Sequence, residues 1–188
     1  ACLPHKYVGI KTARKHFGEK SFPLWDIYSP RPFELTDNEP DFSAEHVYPR
    51  SFLMPNKEAQ KDIHNLFATR LFINRHRSNY RFSETLISSD STKRLHFDAS
   101  FYNYKDSRQR TFVPVRRARG PISRSIAYMG LIYPELNIQE VIDFSLLKKW
   151  NEEHPPDRRE VIRNEKIQSI QYNENPFILA PELIDAHF

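Results

Sequence analysis

The spacing of hydrophobic and polar positions changes several times along this chain. Bulky positions in AEHVY, residues 44–48, run up to Pro49, which predicts a short strand stopped by the proline. After a turn through MPNKEAQ, the segment DIHNLFATR reads as a second extended element. LFINRHRSNYRF then switches to helical spacing. Ile73, His76 or Arg77, and Tyr80 fall on one face, while Asn74, Arg77, Ser78 and Arg81 occupy an adjoining polar face. The pattern predicts strand, loop, strand and helix across residues 43–82.

Further on, RLHFDASFYNY and RTFVPV alternate bulky positions as strands do. PISRSIAYMGLIY predicts a helix with Pro121 in its first turn and Ile122, Ile126 and Met129 facing inward. NIQEVIDFSLLKKWNEE predicts another, capped by Asn137 with Glu140 three positions later; DRREVIRNEKIQSI repeats the arrangement with Asp157 and Glu160. Near the start, KTARKHFGEK suggests a short helix, and FPLWDIYSPRPFELTDNEPDF is broken by prolines into an irregular wrap anchored by aromatics. The expected class is α+β, with a small sheet near the middle and helices in the second half. Without repeats or a low-complexity linker, residues 1–188 are expected to form a single domain.

Composition narrows this picture. A chain of 188 residues can own a continuous core, and 14 Phe and 9 Tyr supply large apolar surfaces despite a hydrophobic content of 39%. Disorder throughout is excluded. A net charge of +4 admits a nucleic-acid partner without requiring one. Its distribution says more: residues 50–81 carry seven Arg or Lys against two acids, and residues 105–124 seven against one. From 141 to 188 the balance reverses to nine acids and six bases. The lone Cys2 excludes an internal disulfide and a thiolate metal cluster. No apolar run reaches membrane-spanning length, so no membrane partner is implied. The opening ACLPHKYVGI lacks a signal peptide's regions; export after removal of a leader and an intracellular location both stay open.

Candidate chemistry centres on Glu45 and His46. Phosphodiester hydrolysis needs a base to activate water and positive charge to offset phosphorus-bound oxygens. Histidine titrates in the right range, and oxygen ligands suit Mg²⁺, which keeps several of its waters. Glu45 can offer one oxygen and the Asn74 carboxamide another, leaving His46 as base. A surface glutamate beside a packing histidine, and an ordinary helix-face asparagine, are the plain alternatives. In an ideal strand Glu45 and His46 point to opposite faces, so such a site needs a bend or strand end there. His64 and Asn65 suit either a supporting role or a local turn.

Arg77 and Arg81 can clamp phosphate or pair with acids. Arg116, Arg117, Arg119 and Arg124, in VRRARGPISR, form a second basic run suited to a nucleic-acid backbone or to ordinary solvated surface. FYNYKD interleaves aromatics with Lys105, for base stacking or for core packing.

Taken together, EHVYPRS at 45–51, DIHNL at 62–66, INRHRSNYRF at 73–82, RRARGPISRSIAYM at 116–129, KWNEEHPPDRREVIRNEKI at 149–167 and QYNENPFI at 171–178 resemble the endonuclease I family of nonspecific nucleases, within the ββα-metal or His-Me finger class. The resemblance implies a ββα-metal finger core near 43–82, a small mixed sheet and surrounding helices. It implies cleavage of DNA, and also of RNA in many members, by metal-assisted attack of water that leaves 5′ phosphates. By motif, His46 is the general base, and Glu45 and Asn74 are the ligands of Mg²⁺, with Mn²⁺ an alternative. Arg77, Arg81, Arg124, Arg116 and Arg119 are then expected to contact nucleic acid. Gln171, Asn173 and Asn175 are expected to organise loops near the centre, and Trp150 and Asn151 to anchor their helix. A monomer is expected, with assembly left open. Two other readings stand beside this one: a catalytically inactive nucleic-acid-binding protein and a structural protein-interaction domain.

Overall fold

A computed structural model describes residues 25–29, 42–85, 92–98 and 101–188. The helix expected around KTARKHFGEK, and the wrap before residue 42 apart from 25–29, lie outside the described residues. Strand β1 spans Phe42–His46 and pairs antiparallel with β2, Leu66–Arg70, placing Glu45 opposite Phe67. Helix α1, Leu71–Arg77, follows β2 directly. The path is thus strand, strand, helix, as the periodicity predicts. DIHNL is the exception: Ile63–Asn65 form a single 3₁₀ turn capped by Asp62, and extension begins only at Leu66.

The second sheet contains β3 (Arg81–Phe82), β4 (Thr92–Asp98), β5 (Phe101–Asp106) and β6 (Thr111–Val113), in the order β3-β6-β5-β4. Only the β3–β6 pair is parallel. Four helices complete the described chain: α2 (Arg116–Ile132), α3 (Phe144–Glu153), α4 (Arg158–Gln171) and α5 (Pro176–Leu179), with a last short turn of helix, α6, at Leu183–His187. The fold is α+β.

Helix α2 is the centre of the core. Ala118, Ile122, Ile126, Ala127 and Met129 are all buried, so its apolar stripe is wider than an amphipathic surface helix requires. It starts five residues before Pro121, which therefore lies inside the helix and not in its first turn. At the neighbouring Gly120 a Cβ would lie 2.2 Å from the His154 carbonyl, so only glycine lets the chain after α3 approach this closely.

The helix expected over residues 137–153 is divided. Asn137 caps a 3₁₀ turn, Ile138–Glu140, and α3 restarts at Phe144. The cause is competition for a backbone acceptor, since the Val141 carbonyl takes the Phe82 N–H of β3 at 2.8 Å. Asp157 does cap α4, accepting from the Arg159 and Glu160 amides. The Glu160 side chain, however, turns away from the cap. It forms a two-point pair with Arg124, Nε to Oε1 at 2.8 Å and Nη2 to Oε2 at 2.6 Å.

Arg124 is fully buried, and its Nη1 also donates to Asn151 Oδ1 and the His154 carbonyl. This overturns its expected contact with nucleic acid: the guanidinium has a carboxylate in the interior and ties α2 to α3 and α4. Truncating Glu160→Ala leaves that charge without its partner, which costs about 3–5 kcal/mol. A urea titration of the variant should show a loss of that size, and an unchanged midpoint would contradict the pairing.

Candidate active site

The site grows from one face of β1. Ser43 and Glu45 are two positions apart and share that face. Asn74 and Arg77 are three apart on α1 and share the facing side of the helix. The Asn74 Nδ2 donates to Ser43 Oγ at 2.8 Å and to the Ala44 carbonyl at 3.2 Å. Because a carbonyl only accepts, the nitrogen end is the anchored one, and Oδ1 is the end available as an oxygen donor. One turn on, Arg77 Nε stands 3.3 Å from Glu45 Oε1. Glu45 and Asn74, remote in sequence, thus belong to one cluster.

Glu45 and Arg77 are both buried. Tyr28, also buried, donates its hydroxyl to Glu45 Oε1 at 2.7 Å. Burial pushes the Glu45 carboxyl up from its ordinary value, while Arg77 and Tyr28 pull it back toward the charged form. Arg77 also donates to the Val47 carbonyl and to the Ser78 carbonyl at 3.0 Å, and its guanidinium lies 4.6 Å from the Phe82 ring centre. Its expected role on phosphate is therefore corrected: Arg77 is an interior counter-ion and brace for Glu45. The helical reading leaves it open to the face of Ile73 or to the adjoining polar face; the structure buries it with Ile73.

His46 is the last residue of β1, at the strand end that a shared site requires, and Arg77 of the cluster is among the charges that act on its ring. Its Nε2 lies 3.0 Å from the Gln60 carbonyl. A carbonyl cannot donate, so Nε2 holds the proton and Nδ1 keeps the lone pair in the neutral ring. Burial holds the imidazole below its ordinary value, aided by Arg50 and Arg77, with the Gln60 bond opposing. The chain leaves the strand by a fixed path. Asn65 grips the Tyr48 backbone at both ends, accepting from its N–H at 2.6 Å and donating to its carbonyl at 3.0 Å.

Behind this turn lies a buried polar hub. Asp62 accepts from the His64 amide, Gln171 Nε2, and the hydroxyls of Tyr128 and Tyr133, at 2.8–3.0 Å. Gln171 also bonds the Ile63 amide and Asn173, and Asn173 reaches the Tyr128 hydroxyl. Burial pushes the His64 imidazole down to about 3, so it is neutral near pH 7 and packs against Tyr128. His64, Asn65, Gln171 and Asn173 all hold the loop that carries the end of β1. Asn175 similarly caps α5 and donates to the Arg124 carbonyl. Trp150 is buried, and Asn151 bonds the Pro181 carbonyl as well as Arg124.

The remaining expected contacts lie apart from β1 in the fold. Arg81 pairs with Asp143 and is half exposed. Arg119 pairs with Glu84 at 2.7 Å above the Trp150 ring, and Arg116 is exposed. Sequence reasoning assigned no role to two residues that adjoin the site. Arg50 is exposed and bonds Gln60 Oε1 at 3.2 Å, beside the carbonyl that holds His46; its signal was its place in EHVYPRS. Tyr28 had no signal, since nothing in FPLWDIYSP relates it to Glu45.

Oxygen donors of one charged and one neutral kind, Glu45 and Asn74, fit a hard divalent cation that retains water. Among the described residues no group of three His, Cys, Asp or Glu gathers into a fuller cage, which such an ion does not need. Among them, too, no helix is long and apolar enough to cross a membrane.

An α+β chain with this arrangement finds its class by comparison. The Endonuclease I family model matches residues 10–182. A periplasmic deoxyribonuclease of Aeromonas hydrophila is 30% identical over 183 residues, covering 87% of this chain and 74% of the relative. An extracellular deoxyribonuclease of the same organism is 33% identical over 123 residues, covering 64% of this chain and 50% of the relative. An extracellular ribonuclease of Bacillus subtilis (strain 168) is 27% identical over 166 residues, with 79% and 54% covered, so the chain spans about half the length of these last two. The protein is a nuclease, a hydrolase of nucleic acids. It belongs to the endonuclease I family, whose members are generally metal-dependent. An inactive binding protein and a purely structural domain are set aside accordingly.

The Tyr28–Glu45 bond gives a direct test. Tyr28→Phe keeps the ring against Phe112 but removes a hydrogen bond to a buried carboxylate, worth about 1.5–3 kcal/mol. Urea unfolding should register that loss, and nuclease activity should fall roughly 10- to 100-fold, as it does when a ligand's supporting bond is removed. Wild-type stability and activity together would show that Tyr28 does not brace Glu45.

Proposed function

We propose that this protein is a metal-dependent nonspecific endonuclease that cuts DNA, and RNA as well, to leave 5′-phosphate and 3′-hydroxyl ends. The observation that supports it best is the pairing of a carboxylate and an anchored carboxamide on one face of β1, with a neutral imidazole at the strand's end. The relatives named as deoxyribonucleases and as a ribonuclease support both substrate types. Within the family's class, β1, β2 and α1 correspond to the ββα-metal finger.

Glu45 and Asn74 would hold Mg²⁺, or Mn²⁺. Such a cation would supply positive charge to offset the negative charge that builds on the phosphate and its leaving oxygen. His46 Nδ1 takes a proton from water as the water oxygen bonds to phosphorus; the P–O3′ bond breaks, and the departing 3′ oxygen takes a proton from a second water to become the 3′ hydroxyl. The bond from Nε2 to the Gln60 carbonyl selects that tautomer and stabilises the imidazolium that forms. Arg50, exposed beside His46, replaces the buried Arg77 as the nearby cation for the phosphate. Arg81, Arg116 and Arg119 meet backbone farther along the substrate. Recognition through phosphate carries little sequence information, which suits a nonspecific enzyme.

His46→Ala and Asn74→Ala should each suppress Mg²⁺-dependent cutting of supercoiled plasmid by at least about 100-fold, the low end for a positioned proton-transfer group. Each variant should keep its circular dichroism spectrum; cleavage equal to wild type would remove that residue's role. Product ends should be 5′ phosphates, and a majority of 3′ phosphates would refute the attacking-water scheme.

The pH dependence has a defined sign. Because the folded-state imidazole is held below its ordinary value, His46 remains a neutral base at pH 6.5 and loses that form only at lower pH. The acid limb of kcat/KM should therefore have its midpoint below 6.5. A midpoint above it would contradict the burial of this ring.

A further inference from the structure

The side of α1 turned away from Asn74 carries a second feature. Phe72 is 48% exposed, on a helix whose buried side chains are Ile73 and Arg77. His76, one turn on, stands edge-on to it at 4.6 Å. Lys93 of β4 lies 6.0 Å from the Phe72 ring centre. Lys93 and Lys105 are register partners in the antiparallel β4–β5 pair, so two like charges face each other directly across the ladder. That arrangement is destabilising. Lys105 and Arg110 in turn flank Tyr80, at 5.8 and 5.1 Å. Among the described residues, no acidic side chain pairs with Lys93, Lys105 or Arg110.

Among the described residues the opposed lysines have no acidic counter-ion, and with one beside the exposed Phe72 ring and the other beside Tyr80 they call for an anion that also presents a flat face. A nucleotide in an unpaired strand does both: its phosphate answers the lysines and its base stacks on the ring. In a duplex, bases stack on one another and are closed to Phe72. We infer that Phe72, with Lys93 and Lys105, is a stacking platform for an unpaired stretch of the nucleic-acid substrate. This rests on the nuclease reading above and adds a strand preference to it. Phe72 and Asn74 project about 200° apart around a helix some 10–12 Å wide, so a short substrate crossing α1 reaches both.

The test is binding and kinetics on the full chain. In a His46→Ala background with excess chelator, fluorescence anisotropy would follow a labelled oligothymidylate and a hairpin duplex. Phe72→Ala should weaken the single strand about tenfold and leave the duplex unchanged. Lys93→Gln with Lys105→Gln should lower the salt slope on the single strand by about 1.4. In the active protein, Phe72→Ala should raise KM for single-stranded substrate and leave kcat in place. Equal losses on both nucleic acids, or none on either, overturn the platform. If wild type still cuts plasmid in either case, only the platform fails; a wild type that neither binds nor cuts removes the nuclease reading beneath it.

Discussion

The structure around the active site depends on a buried charge. Glu45 sits in the interior, where an isolated carboxylate would give up its charge. Arg77 and Tyr28 oppose that, one by proximity and one by a hydrogen bond. Each brings a different part of the chain with it. Arg77 fixes the rotation of α1, which sets Asn74 against β1. Tyr28 fixes the segment before β1, whose Ile27 amide also bonds the Ala68 carbonyl of β2 at 2.9 Å. A single carboxylate thus aligns three stretches of backbone.

His46 is governed separately. Its ring answers to the turn at Ala59–Lys61, and that turn leads into Asp62, the acceptor for four donors from the core. The metal side and the base side of the proposed site are therefore supported by different networks, which meet at β1 and just beyond it at Val47, whose carbonyl accepts from Arg77 and whose N–H reaches the Asn65 carbonyl. Rigid backing on both sides suits a reaction that depends on placing water and phosphate correctly.

Much of this was legible in the sequence, for reasons that can be named. The switch from strand to helix spacing at residues 66–77 exposed the order strand, strand, helix, because side-chain period reports backbone geometry directly. The Asp157 cap was equally plain. Arg77 and Arg124 were misread because an arginine's sequence neighbours do not reveal a carboxylate 32 or 36 residues away. Tyr28 was missed for the same reason. The split at 141–143 was hidden because the acceptor it lost went to β3, a tertiary event. Local pattern shows elements and caps; it does not show which buried charges will meet.

The Asp62 hub has a consequence for synthesis. Its bonds join Ile63 and His64 to Gln171 and Asn173, partners that follow by up to 109 residues. At about 5–20 residues per second, the ribosome delivers those partners roughly 5–20 seconds after the turn itself emerges. Until then the turn at Ile63–Asn65 lacks the bonds that Gln171 and Asn173 bring to it.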